Sequence, residues 1–422
     1  MTQVLQTLAQ STLTLDSEIV QKARNNPDKV FFPNMGSDNI FTEGFSIDRV
    51  FFTIPGINFK VYWYGFLIAV GILLAMFYGF KKMRSAGIDP DRATDGVIAG
   101  FVGALAGARL YYILFNSDMS ITQFFSFRDG GLAIYGGIIG AVLVGGIVIK
   151  LKKIKLAAML DVVAPCFLIG QAIGRWGNFF NQEAFGSNTD LPWGMFSNST
   201  LTYIADNCPE LDRYSPVHPC FLYESIWCAL AFVFLHFYFK HRKFDGEVFL
   251  MYAGLYGLGR FFIESTRTDS LYLMNIKVSQ LVAGASVAAA VILIIVFRSI
   301  TKRNDDYKLF VDTELSKAQL AEYDAYDSRR KAKKELVRKI KEAKAAGEDT
   351  SELEKELEEK YGKHAAKPTD NVVEKSSSEN YTSILAEDED EQTDDVSEPD
   401  EASEETENKE EAEEENKDEQ DN

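Results

Sequence analysis

The sequence predicts an all-α polytopic membrane protein, with about seven transmembrane helices, a small external lobe and a disordered acidic C-terminal tail. Three observations predict it. Seven apolar runs each approach the roughly 20 residues that cross a hydrocarbon core. Lysine and arginine gather in every second loop between those runs. After Arg303 the composition turns abruptly acidic.

The charge balance separates these parts. The 422 residues carry a formal net charge of −18 and a mean hydropathy of −0.11. Both values average unlike segments. Residues 304–422 hold about 40 acids against about 18 bases, so the remainder is slightly positive. The low isoelectric point therefore describes the tail, and nothing in the main domain calls for nucleic acid as a partner. The four cysteines, Cys166, Cys208, Cys220 and Cys228, make no metal pattern. Cys208 and Cys220 share an outer segment and could pair. Cys166 and Cys228 lie in apolar runs and read as packing residues.

Taken in order, residues 1–60 are mixed and polar and read as an external N-terminal segment, without the pattern of a cleavable signal peptide. Val50–Ile54 and Phe59–Trp63 read as short strands at the membrane surface, and Tyr62, Trp63 and Tyr64 suit an interfacial aromatic belt. Residues 61–300 read as a seven-helix transmembrane domain, with spans at about 62–80, 95–115, 131–149, 156–176, 219–239, 247–265 and 278–298. Lys81, Lys82 and Arg84 follow the first span, and Lys150, Lys152, Lys153 and Lys155 the third. Lys240, Arg242 and Lys243 follow the fifth, and Arg298, Lys302 and Arg303 the seventh. The positive-inside rule then places the N-terminus outside and the C-terminus in the cytoplasm. Gly103/Gly107, Gly136/Gly140 and Ala141/Gly145 are small pairs four residues apart, suited to close helix packing. Residues 187–217 are too polar for lipid and form the expected external lobe. Residues 301–363 are cytoplasmic, and 316–362, rich in Ala, Glu, Lys and Leu, read as helical. Residues 364–422 cannot bury enough apolar surface to fold. The tail after Arg303 offers no site chemistry and lies opposite the polar cluster described next, so everything beyond Arg303 is expected to be dispensable for that cluster.

On this topology the unusual polar residues converge at one depth. Tyr64, Arg109, Asp129, Tyr135, Arg175 and His218 are all outer-side, and Glu224 lies about one turn into the fifth span. Tyr256, Arg260 and Glu264 recur at i, i+4 and i+8 and so share a helix face. Asp161 is the exception, near the cytoplasmic end of the fourth span. Arg260 with Glu264 could be a plain structural pair. Arg109, Arg175 and Arg260 together have few evident carboxylate partners. Guanidinium suits bidentate phosphate binding, and headgroup phosphates are what that depth offers. The residues alone thus point to a lipid-phosphate site open to the outer leaflet.

One stretch is more specific. Gly174-Arg-Trp-Gly-Asn-Phe-Phe-Asn-Gln-Glu-Ala-Phe-Gly186 places Arg175, Asn178, Asn181 and Glu183 at a membrane boundary. The plain reading is a helix end with polar caps. The stretch also resembles, at every defined position, the signature of the bacterial phosphatidylglycerol–prolipoprotein diacylglyceryl transferase family. The resemblance covers roughly residues 50–300. It includes Trp63-Tyr-Gly65, Arg128-Asp-Gly-Gly131, His218-Pro-Cys-Phe-Leu-Tyr-Glu224 and Tyr256-Gly-Leu-Gly-Arg260, with Glu264 and Arg267.

The resemblance implies a seven-helix enzyme of the bacterial plasma membrane. It would move the diacylglyceryl group of phosphatidylglycerol onto the lipobox cysteine of a prolipoprotein signal peptide, forming a thioether and releasing glycerol phosphate. No cofactor or metal is implied. The implied catalytic residues are Tyr135, Arg175, Arg260 and Glu183. Arg175, Asn178, Asn181, Gly186, Tyr64, Arg109, His218, Tyr256 and Glu264 would bind the lipid. Arg175 and Arg260 could stabilise the departing phosphate, and Asn178, Asn181 and Glu183 would hold glycerol hydroxyls or orient Arg175. Many family members have His where this chain has Tyr135 in Gly131-Leu-Ala-Ile-Tyr-Gly-Gly137. A phenol, ordinarily of pKa about 10, is a poor base, so the thiol proton could instead pass to Glu183, His218 or water. Two other classes remain open. A transporter should show related halves with broken helices, and no such repeat is evident. A lipid-binding scaffold would need the arginines but not Glu183 or Tyr135.

Overall fold

The computed structural model describes residues 18–36, 40–56, 58–116, 124, 131–268, 272–273 and 276–361. The long helices are α1 (Trp63–Met83), α2 (Pro90–Phe115), α3 (Ile134–Leu151), α4 (Leu156–Asn181), α6 (Cys220–Tyr238), α7 (Glu247–Thr266) and α8 (Val278–Arg303). A shorter helix, α5 (Asn198–Asn207), lies between α4 and α6, and α9 (Glu314–Ala346) and α10 (Ser351–Tyr361) follow α8. Helix α2 starts earlier than its apolar run because Asp89 caps it, accepting from the Asp91 and Arg92 N–H groups, with Pro90 at the first position. Helix α3 contains a π turn over Ala141–Gly145.

Six of the seven, all but α7, are long and apolar enough to cross a membrane by length and composition. Helix α7 is long enough, but Arg260, Glu264, its glycines and its tyrosines lower its hydropathy. It packs against α4, α6 and α8. Large apolar side chains such as Phe77, Leu114, Ile134 and Phe237 are exposed on the helices. Leaving them in water would forfeit about 25 cal/mol for each Å² of apolar surface, so the surface suits lipid.

Glycine contacts join the helices. Gly71 of α1 faces Gly170 of α4, where an added Cβ would lie 3.4 Å from the Gly170 Cα. In the α2–α3 hairpin Gly103 meets Gly140 and Gly107 meets Gly136, backbone on backbone, and any Cβ would collide. Helix direction alternates, so the chain has two ends. One carries Tyr64, Arg109, Arg175 and Glu224 and is called the site end. The other carries the lysine-rich loops and is called the basic end. The largest buried core is at the basic end, where Met83, Ile88, Ala93, Ile149, Met159 and Phe239 meet.

The site end is covered by a lobe. Strand β1 (Lys29–Phe31) lies between β2 (Phe45–Ser46) and β5 (Phe196–Ser197), antiparallel to both, with Val30 opposite Phe45 and Ser197. Residues from the N-terminal segment and from 187–217 therefore share one sheet, over a core that includes Val30, Ile47, Met195, Ile204 and Val217. Ser197 and Thr200 form a capping box that starts α5. Strands β3 (Val50–Ile54) and β4 (Phe59–Tyr62) pair as the expected hairpin before α1. Cys208 and Cys220 are both buried thiols, and the structure holds no disulfide between them.

Candidate functional site

The site is built around Glu224, one turn into α6 and 4% exposed. Its Oε2 lies 2.5 Å from Arg175 Nη2 of α4. Its Oε1 accepts from Arg260 Nη1 at 3.0 Å and from Arg267 Nη1 at 3.1 Å. A second buried carboxylate, Glu264, lies 2.8 Å from Arg260 Nη2 and 3.9 Å from Arg267 Nε. The i, i+4 and i, i+3 spacings on α7 bring these groups together. The expectation that the arginines lack carboxylate partners is corrected for Arg175 and Arg260. The shared partner sits on another helix, which spacing along one helix cannot reveal.

The charges do not cancel. Three guanidiniums face two carboxylates, which leaves an excess of positive charge. Lys277 adds to it, donating to the carbonyls of Glu264 at 2.8 Å and Arg267 at 2.7 Å. An ammonium is favoured at a helix C-terminus. Beneath the cluster, Glu224, Cys228, Tyr256, Gly259 and Arg260 line a recess between α6 and α7. Tyr256 stacks on Tyr252, with ring centroids 6.0 Å apart.

The signature stretch folds as the last turns of α4 and the loop after it. Gln182 ends the helix in the left-handed region at φ 55°. The chain then doubles back, and the Glu183 N–H donates to Asn178 O at 3.0 Å. Asn178 Nδ2 and Asn181 Nδ2 both donate to Glu183 Oε1, at 3.0 and 3.2 Å. The two amides thus hold the exposed Glu183, while Arg175 takes its orientation from Glu224. Gly186 lies where three segments cross. A Cβ there would stand 2.7 Å from Thr266 O and 2.8 Å from His218 Cβ. Tyr64 packs its ring against Gly177, and Trp63 stacks on Phe180 at 4.5 Å. Trp176 donates to Ser225 Oγ, which donates to Ala172 O, pinning α4 to α6.

Two of the other expected residues, Arg109 and Tyr135, belong to the α2–α3 hairpin. Arg109 is fully buried in α2, and donates to Phe124 O at 3.2 Å and Gly131 O at 3.1 Å. It braces the chain entering α3. Tyr135, in the first turn of α3, is 71% exposed. Arg128 and Asp129 fall outside the described residues. His218 Nδ1 is 3.0 Å from the Tyr223 hydroxyl, which accepts from Trp193 Nε1 at 2.8 Å. Burial lowers the His218 pKa and favours the neutral ring. Glu224 was legible as one outer-side polar residue among several and Arg267 only as a motif residue, and nothing in the spacing singled out Lys277 or Tyr223.

The model of the prolipoprotein diacylglyceryl transferase family matches residues 49–296. A phosphatidylglycerol–prolipoprotein diacylglyceryl transferase of Finegoldia magna is 40% identical over 264 residues, covering 62% of this chain and 100% of the relative. The like-named protein of Clostridioides difficile is 40% identical over 249 residues, 58% of this chain and 94% of the relative. That of Thermotoga maritima is 41% identical over 249 residues, 58% of this chain and 83% of the relative.

Proposed function

The chain belongs to the prolipoprotein diacylglyceryl transferase family, and on that premise we propose how its residues carry out the transfer. It is a membrane transferase. It moves the diacylglyceryl group from phosphatidylglycerol to a prolipoprotein, the first step of lipoprotein maturation.

The acceptor is the thiol of a lipobox cysteine in the signal peptide. The sulfur attacks the glycerol carbon that carries the phosphate ester. A C–S bond forms, the C–O bond breaks with its electron pair going to oxygen, and glycerol phosphate leaves. Arg175 and Arg260 face the phosphate as its charge grows, an interaction strongest in the transition state. Glu224 and Glu264 hold these guanidiniums in place beforehand, so little reorganisation is needed during the reaction. The excess positive charge of the cluster is the observation that carries this reading.

Glu183 takes the thiol proton. Its Oε1 is fixed by Asn178 and Asn181, and the side chain is exposed at the site end. A thiol of pKa about 8.5 must lose its proton to become a nucleophile. Tyr135 and Tyr256 donate hydrogen bonds to phosphate or glycerol oxygens. Tyr64 and His218 border the headgroup. Gly186 shapes the loop beside it, and Arg109 holds the segment that leads to Tyr135.

The site end faces outward and the basic end faces the cytoplasm of a bacterial cell, with α7 as the seventh span. The lysine-rich loops support this orientation. The direct test follows labelled diacylglyceryl from phosphatidylglycerol to a lipobox peptide. Transfer in wild type, lost with Glu183→Gln and with Cys→Ser in the peptide, supports the reading. Full transfer in Glu183→Gln removes Glu183 as the proton acceptor.

A further inference from the structure

Residues 304–361 lie beyond the family match, yet their first part is folded onto the basic end. Phe310 is 4% exposed and joins the core containing Met83, Ala86 and Ile88. Its N–H donates to Asp245 Oδ2 at 2.9 Å, and Lys155 Nζ reaches the same oxygen at 2.9 Å. The Asp245 N–H donates to the Tyr307 hydroxyl at 2.9 Å. In the first turns of α9, Ser316 Oγ donates to Gly87 O at 2.6 Å and Gln319 Nε2 to Lys152 O at 3.3 Å. Glu322 pairs with Arg92 at 2.9 Å, and Asp324 pairs with Arg84. Gly87 has φ +79°, and a Cβ there would collide with Val311 and Ser316. One segment thus touches the α1–α2, α3–α4 and α6–α7 connections.

Those connections matter because of how the α2–α3 hairpin is attached. The two helices pack chiefly on each other. The buried core residues that join the hairpin to α4, namely Ala93, Ile149 and Ile154, are all at the basic end. Its other end carries Arg109 and Tyr135. A 26-residue helix such as α2 is about 39 Å long, so a tilt of about 5° moves its far end by about 3 Å. A misplacement of about 1 Å can cost on the order of a hundredfold in rate.

We propose that residues 304–324 are a positioning clip for the transfer reaction. They fix the α2–α3 hairpin against α4, α6 and α7 from the end opposite the arginine cluster. The clip thereby sets how close Tyr135 comes to Arg175 and Arg260. The proposal rests on the reading above that Tyr135 meets the lipid headgroup. It replaces the expectation that everything after Arg303 is dispensable.

Spin labels at the exposed Leu132, just before α3, and at Asp190 in the lobe report the hairpin's position without reference to activity. Three forms are compared in membranes: the full chain, Phe310→Ala/Ser316→Ala, and a chain ending at Arg303. A chain ending at Tyr361 is the control. The control should match the full chain. The double variant should broaden the distance distribution and lower kcat at least about fivefold at unchanged protein level, and the truncation should do both more strongly. If the truncated chain does not stay in the membrane, the double variant decides. An unchanged distribution in the double variant overturns the clip, whatever the rate does. A broadened distribution at full kcat overturns it as a positioning element. Tyr135→Phe, assayed alongside, tests the headgroup reading by itself. Slow transfer in Tyr135→Phe with unmoved labels in the clip variants would sink the clip alone.

Discussion

The α2–α3 hairpin and the α4–α6–α7 bundle present polar residues to the same end in opposite ways. In the bundle, side chains from three helices meet on Glu224, and every guanidinium there has a carboxylate within 3.1 Å. In the hairpin, glycine backbones touch, Arg109 is spent on loop carbonyls, and Tyr135 faces outward. The difference suggests a division of labour. The bundle is a fixed charged receptor, and the hairpin is a wall that packs chiefly on itself. Breaking a buried ion pair at one partner costs about 3–5 kcal/mol, so the receptor resists change more than the wall does.

The largest effect is expected at the receptor. Glu224→Gln keeps the shape and removes the charge that three arginines share. Transfer should fall at least about a hundredfold, roughly 2.7 kcal/mol in barrier. A near-normal rate would mean that the shared carboxylate does not organise the site.

The wall should be next. A Cβ on Gly136 would collide with the Gly107 backbone and Tyr111. Gly136→Val should push α3 away from α2 and slow transfer about tenfold or more, with the Arg–Glu cluster untouched. If the rate holds, hairpin geometry is irrelevant to the chemistry, and the two-part comparison fails.

Tyr135 sharpens the same contrast. Tyr135→Phe keeps the ring and removes the hydroxyl, and should lower transfer about fivefold to tenfold, on the order of 1 kcal/mol. Tyr135→His should retain part of the rate. A hydrogen-bonding role leaves the pH–rate profile of the His variant unchanged, whereas a shift to lower pH would make position 135 the base.

The smallest effect concerns pH. Burial lowers the pKa of His218 in the folded chain, so the unfolded chain binds its proton more readily. The resulting stability is present above the unfolded value of about 6.5 and is lost as pH falls through the folded value. Thermal denaturation from pH 7.5 to 5 should show a slope that His218→Gln reduces. Parallel curves would remove His218 as its source.

Much of the fold was legible because membrane spans are long and apolar. Even the surface strands read at Val50–Ile54 and Phe59–Trp63 stood out, the second ending one residue earlier because Trp63 opens α1. Strand β1 did not, since three residues carry no period, and its partner β5 lies far along the chain. The apolar run of the fourth span ends near residue 176, but α4 stays helical to Asn181. Polar residues mark the edge of lipid, not the end of a helix. At the site, the residue types were readable and the partners were not. Which carboxylate Arg175 meets depends on how α4 and α6 are rotated about their axes. Glu224 therefore read as one polar residue among several. The docking of Phe310 was equally hidden, because a lone aromatic in an acidic extension gives no sign of where it is buried.

The central claim is that the cluster grips phosphate through paired guanidinium N–H groups held by Glu224 and Glu264. Lysine keeps the charge and loses the fork. The most direct measurement is therefore the rate of labelled diacylglyceryl transfer in Arg175→Lys and Arg260→Lys, at matched protein levels in membranes. Each should lose at least about tenfold, roughly 1.4 kcal/mol. Lysine equal to arginine at both positions would contradict the claim and leave only net charge at work.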